Sequence, residues 1–215
     1  MKTLAFISFL FVSLANSQTA NVNDEKYNEA MARNIQTVYT AESLSTLQSA
    51  VNTLERIGQA EKTKWEPYYY AAFGYVMMAT REQAMEAKDA YLDQASANVD
   101  KAAAIKPNDA EITSLEGFVH MIRITVDPAS RGQQYSALGS QAFGKALSID
   151  DENPRALALM AQMEFGTAEF LGSSTSVACA TNDAALQKFA TFRSNNPLAP
   201  QWGKTMALEL KSKCK

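Results

Sequence analysis

The chain has 215 residues, 47% of them hydrophobic, with 20 basic side chains against 23 acidic ones and a single histidine. A balance this close to neutral, with no basic stripe able to neutralise several phosphates, excludes a nucleic-acid binder. One histidine and two well-separated cysteines cannot build the usual tetrahedral metal sites, and no cofactor is expected.

Residues 1–17 read as a signal peptide: Met1-Lys2-Thr3, an apolar run from Leu4 to Leu14, then Ala15-Asn16-Ser17, with cleavage before Gln18. The apolar run is shorter than the ~20 residues a membrane-crossing helix needs. The expected product is exported, periplasmic or extracellular, with a flexible lead at 18–23 and one helical domain over 24–215.

Apolar residues recur at helical spacing almost throughout, and no segment shows the alternation of a strand. The spacing predicts helices at 24–40, 43–60, 67–81, 83–105, 110–126, 129–149, 154–171, 182–193 and 200–213, which makes pairs followed by a last single helix. Prolines at 67, 128 and 154 stand where a first helical turn tolerates a missing N–H, and Asp109, Asp127 and Asn153 are suited to cap the helices that follow them. The small polar stretch Gly172-Ser173-Ser174-Thr175-Ser176 and the Asn195-Asn196-Pro197 stretch read as loops.

Two segments echo one another 44 residues apart: Ala95, Val99, Lys101, Ala102, Ile105 and Pro107 against Gly139, Phe143, Lys145, Ala146, Ile149 and Asp151, with Gly117 and Ala161 following at the same displacement. This spacing of small, apolar and helix-stopping residues resembles the tetratricopeptide repeat, in which small side chains let two antiparallel helices approach closely. Ala50, Leu54 and Ile57 before Trp65 mark a further degenerate unit, in which Ala72 or Gly74 fills the small slot. The tail from Pro197 to Lys204 is similar to the endings of small exported bacterial proteins of this repeat class. The resemblance implies an all-α solenoid of helix hairpins closed by the last helix. Two departures stand out: the usual period is about 34 residues, and Glu116 occupies a position that the family fills with a large apolar side chain. Counting period by period instead places Ile112, Leu115, Val119, Ile122 and Val126 on the core stripe.

In that family the first helix of each hairpin lines a concave groove, which by register makes Tyr68, Tyr75, Phe118, Met121, Arg155, Gln162 and Phe165 candidate partner-binding residues. The cluster of Trp65 with Tyr68, Tyr69 and Tyr70 reads first as packing between hairpins, and second as a platform for a sugar or peptide. Cys179 and Cys214 most simply form one disulfide in an oxidising compartment, holding the last helix down; two buried thiols are the other reading.

Catalytic groups are sparse. His120 has no nucleophile motif near it, the acidic run Asp150-Asp151-Glu152 matches no EF-hand spacing, and the acidic face of Glu82, Glu86, Asp89 and Asp93 reads as solvated. The function this implies is a non-enzymatic scaffold for a protein or peptide partner. The alternatives are a carrier or sensor for a small apolar molecule or sugar, and a hydrolase built on paired carboxylates.

Overall fold

The computed structural model describes the backbone of residues 12–214 and the side chains of residues 24–214, so most of the leader lies outside the described residues. Within this range nine helices follow one another: α1 (Val12–Thr40), α2 (Leu44–Ala60), α3 (Glu66–Arg81), α4 (Met85–Ile105), α5 (Ala110–Ile124), α6 (Pro128–Ile149), α7 (Pro154–Leu171), α8 (Ser176–Thr191) and α9 (Lys204–Lys213). None of them is long and apolar enough to cross a membrane.

Local chemistry sets most of these boundaries. The Asp109 carboxylate accepts from the backbone N–H groups of Glu111 and Ile112, and the Asn153 side-chain carbonyl accepts from those of Arg155 and Ala156, so α5 and α7 start on satisfied first turns. Ser43 and Asp127 cap α2 and α6 in the same way. Gly172, in the left-handed conformation with φ 64°, ends α7.

Three helix starts differ from the sequence reading by more than two residues. Residues 18–23, expected as a flexible lead, are helical, because α1 begins at Val12. Helix α8 covers 176–191 rather than 182–193, which reduces the small polar loop to 172–175. Helix α9 starts at Lys204 rather than residue 200, because residues 192–203 run as an irregular strap that ends at Gly203 with φ 101°.

The helices pack as successive antiparallel pairs in two layers. The odd-numbered helices touch one another in series from α1 to α9, whereas the even-numbered ones pack on the odd helices beside them and meet one another through polar side chains, Asn98 of α4 donating to Glu55 of α2 and Arg131 of α6 to Asp89 of α4. Small residues permit the close approach. A Cβ at Gly117 would sit 2.3 Å from the Phe143 ring, and one at Gly139 would sit 2.7 Å from the Met163 methyl. Ala95, Ala102, Ala146 and Ala161 have no exposure, so the echoed small positions are the helix–helix contacts. Ile112, Leu115, Val119, Ile122 and Val126 are all buried and Glu116 is exposed, as period-counting predicts.

Candidate functional site

The inner face of the odd helices is not an open groove. The strap between α8 and α9 crosses it and drives the Trp202 indole between Phe73 of α3 and Phe118 of α5. The indole lies nearly parallel to both phenyl rings, with centroids 4.8 and 5.6 Å away at interplanar angles of 23° and 21°. Its N–H donates to the Tyr69 hydroxyl at 3.0 Å. The Tyr70 hydroxyl donates to the Leu198 carbonyl at 2.6 Å, the Gln201 amide donates to the Tyr39 hydroxyl at 3.1 Å, and the Asn196 side-chain amide donates to Glu66 at 3.1 Å. Four inner-face side chains thus hold the strap along its length.

Beside the strap lies a charged pair in apolar surroundings. Arg155, 1% exposed, donates from Nε and Nη2 to the two oxygens of Glu111 at 2.6 Å each. Asn153 donates to the same carboxylate at 2.7 Å, and the guanidinium stacks over Phe192 of the strap at 4.5 Å. A bidentate fork with a third donor is the arrangement in which a buried pair withstands its desolvation cost. Burial works against the Arg155 charge, yet the hydrogen bonds and field of Glu111 outweigh it and hold its pKa above the ordinary value. Glu111 and Arg155 are 44 residues apart, so they are the same position in successive repeats with opposite charge.

Burial also pushes the phenols of Tyr39, Tyr69 and Tyr70 up from their ordinary pKa, so all three are neutral donors and acceptors across the physiological range.

At the edge where the loops ahead of α3, α5 and α7 meet the strap, there is a cleft of about 310 Å³. Trp65, Ile149 and Phe192 give it apolar walls, and Lys106 and Arg193 give it two cations. Lys106 lies 4.8 Å over the Trp65 ring and is paired with Asp109 at 2.7 Å. The exposed Arg193 donates to the backbone carbonyls of Phe192 and Ala190. No histidine, cysteine, methionine or tyrosine lines the cleft.

The residues expected to face a groove are scattered. Phe118 stacks on Trp202, and Arg155 is committed to Glu111. Met121 and Gln162 are half-buried on α5 and α7. Tyr68 lies under Lys101 of α4 and against Gly58 of α2, and Tyr75 stacks on Tyr91 of α4, so both point towards the even-numbered layer. Phe165 is buried with Ala178 and Leu210 beside Cys179 and Cys214, which are joined by a disulfide. Tyr68 and Tyr75 face the even-numbered layer because one helix contacts neighbours in both layers, and repeat spacing does not say which. Repeat spacing gives no place in the site to Glu111, Phe73, Phe192, Lys106 or Arg193. Opposite charges at equivalent repeat positions, Glu111 and Arg155, were the available signal.

His120 is half-buried on α5 and stacks on Tyr135 of α6 at 5.9 Å, away from the cleft. Burial lowers its pKa, which keeps the imidazole neutral. Among the described residues no group of three or more His, Cys, Asp or Glu side chains is placed to hold a metal ion.

The fold and its covered inner face define a helical hairpin solenoid with an edge cleft. Among solved structures, the chain is similar to the HusA haemophore from Porphyromonas gingivalis. The TM-score is 0.78 at 25% identity, and the match covers 88% of this chain and 92% of that chain. No protein-family model matches the sequence, and no curated protein does.

Proposed function

We propose that this protein is a non-enzymatic haem carrier that works outside the cytoplasm and takes the porphyrin at the edge cleft. The observation that carries the reading is the likeness to a haemophore along nearly the whole of both chains. The cleft offers matching chemistry. Trp65 and Phe192 supply aromatic rings for a flat conjugated plane, and the exposed Arg193, with Lys106 once it leaves Asp109, supplies cations for its two carboxylates, beside the acidic lining of Asp109, Glu111 and Asp150. A disulfide at Cys179–Cys214 suits an oxidising compartment, in keeping with the leader at residues 1–17.

Because nothing lining the cleft is a good axial ligand for iron, recognition rests on stacking and charge rather than on the metal. A peptide scaffold fits less well, because the groove it requires is taken by the strap.

The test is a titration of the mature protein with haem and with iron-free protoporphyrin, followed by absorbance and calorimetry. Both should bind with one equivalent and similar affinity. An Arg193→Glu, Lys106→Glu double variant should weaken both by about tenfold or more, since each close charge pair contributes on the order of 1 kcal/mol. A haem Soret band unchanged by the protein, together with no heat of binding for either porphyrin, would refute the carrier reading.

A further inference from the structure

We propose that the slot between Phe73 and Phe118 is itself a subsite for a flat aromatic ring, and that Trp202 is an internal occupant which the ligand displaces. The inference rests on the carrier reading and extends it from the edge cleft to the inner face.

The first reason is geometry. Neighbouring aromatic contacts on this face are edge-on, with Tyr39–Tyr70 at 75°, Tyr39–Phe73 at 79° and Tyr69–Tyr70 at 86°. Trp202 alone is sandwiched, within 23° of Phe73 and 21° of Phe118. Two phenyl rings facing one another across the thickness of one conjugated plane form a site selective for flat molecules.

The second reason is continuity. The strap that carries Trp202 is also a wall of the edge cleft, to which it contributes Phe192, Arg193, Asn196, Ala199 and Pro200. The Tyr69 hydroxyl that receives the indole N–H lies 3.5 Å from Glu111, which lines the cleft. Lifting the strap would therefore join slot and cleft into one cavity. At about 310 Å³ the cleft alone stands at the low end of the roughly 300–1,000 Å³ typical of ligand sites. The joined cavity would enclose more of a four-ring macrocycle than the cleft alone.

The third reason is that the strap is built to move without unfolding its anchors. It has no helix of its own; Leu198 and Trp202 are its side chains in the continuous core, and its polar ties are single hydrogen bonds from Tyr39, Tyr69, Tyr70 and Glu66 that water can replace. Both flanking helices are tied to one another independently of it. Cys179 of α8 is bonded to Cys214 just after α9, and the Asn182 side chain of α8 donates to the Ala207 carbonyl of α9 at 2.9 Å. Gly203, with φ 101°, stands at the junction as a pivot that other residues adopt only with strain.

If Trp202 competes for the slot, apparent affinity is reduced by the fraction of molecules in which the strap is closed, and weakening the strap restores it. The probe is iron-free protoporphyrin, with the mature wild-type protein beside Trp202→Ala and Tyr70→Phe. Binding to the wild type should shift the indole N–H resonance of Trp202, identified by its loss in Trp202→Ala, and raise exchange of the Gln201 amide. Trp202→Ala should bind about tenfold tighter or better, and Tyr70→Phe, which loosens the strap with the slot still filled, about two- to fivefold tighter. Should Trp202→Ala fail to keep its helical spectrum, Tyr70→Phe and the wild-type exchange data decide the matter alone. Wild-type binding with a still-protected Gln201 amide and unchanged affinity in the variants would overturn the displacement and leave the carrier reading standing, with the ligand confined to the edge cleft. Absence of binding by every protein would end both.

Discussion

The two ends of the molecule are held together by different means. From α1 to α5 and on to Phe143, Leu159 and Met163, the buried side chains form one continuous core that includes Tyr69, Tyr70, Phe73, Phe118 and Trp202. Beyond it the core breaks into two small clusters. One is Ala161, Phe165, Ala178 and Leu210 beside the disulfide, and the other is Ala158, Ala185 and Ala207. The same end leaves Phe170, Leu171 and Val177 exposed at 89%, 67% and 66%. Alanines bury little area each, and burial contributes about 25 cal/mol per Å² of apolar surface. The difference teaches that the C-terminal hairpin depends on point attachments, namely the disulfide, the Glu111–Arg155 pair and the strap, where the N-terminal part depends on area.

Removing the most buried of those attachments should have the largest effect. Arg155→Ala strands the Glu111 carboxylate beside Tyr69 and Asn153, and breaking a buried pair from one side costs about 3 to 5 kcal/mol. Urea denaturation should show it, with α8 and α9 losing exchange protection before α3. A loss below about 1 kcal/mol would mean that water already screens the pair.

Alkali should attack the strap's phenols together with the other buried ones, Tyr27 and Tyr75, whose pKa burial also raises. The phenols of Tyr39, Tyr69 and Tyr70 have raised pKa values because burial penalises the phenolate. In the unfolded chain they titrate near their ordinary value of about 10, so their contribution is complete below that pH and is lost as pH rises above it. Each phenol that stays neutral in the fold takes away about 1.4 kcal/mol per pH unit in that range. Stability measured at successive pH values should be flat up to about pH 10 and fall steeply beyond, with Tyr70→Phe reducing the slope. A fall that begins near neutrality would implicate other groups.

Reduction of Cys179–Cys214 comes next. The bridge spans 35 residues, and loops of this order contribute about 2 to 4 kcal/mol in the chain-entropy model. A Cys179→Ala, Cys214→Ala variant should lose that much, with the loss concentrated in exchange of α9 amides. Equal loosening of α3 and α9 would dissolve the distinction between the two ends.

The helices were largely legible in the sequence, because caps such as Asp109 and Asn153 and the 44-residue echo of small residues are local signals with one physical meaning. The strap was not legible. Trp202 sits four residues ahead of Met206 in an amphipathic pattern, so helical periodicity absorbed it, and only the positive φ at Gly203 breaks the helix there. The candidate site was partly legible. Phe118 and Arg155 do reach the inner face, but what they meet is 84 residues away in one case and one full repeat away in the other, and pairings across that distance leave no periodic trace.

Glycine gives the finest probe of the comparison, because the same substitution should change sign between the two ends. A Cβ at Gly117 would press on Phe143 from 2.3 and 2.6 Å, inside the continuous core where neither helix has room to yield. Gly117→Ala should therefore cost about 1 to 3 kcal/mol through overpacking. Gly166, exposed on α7 near the thinly packed end, meets nothing within 4 Å. Gly166→Ala should gain about 0.5 to 1 kcal/mol, since alanine loses less backbone freedom on entering a helix. Thermal melts of the two single variants and the double variant give the answer. The residues lie on different helices, and a Cβ at Gly166 touches nothing, so the effects should add. A destabilising Gly166→Ala would mean that the exposed apolar end is covered in solution, and the double variant would then be the place to look for a partner surface there.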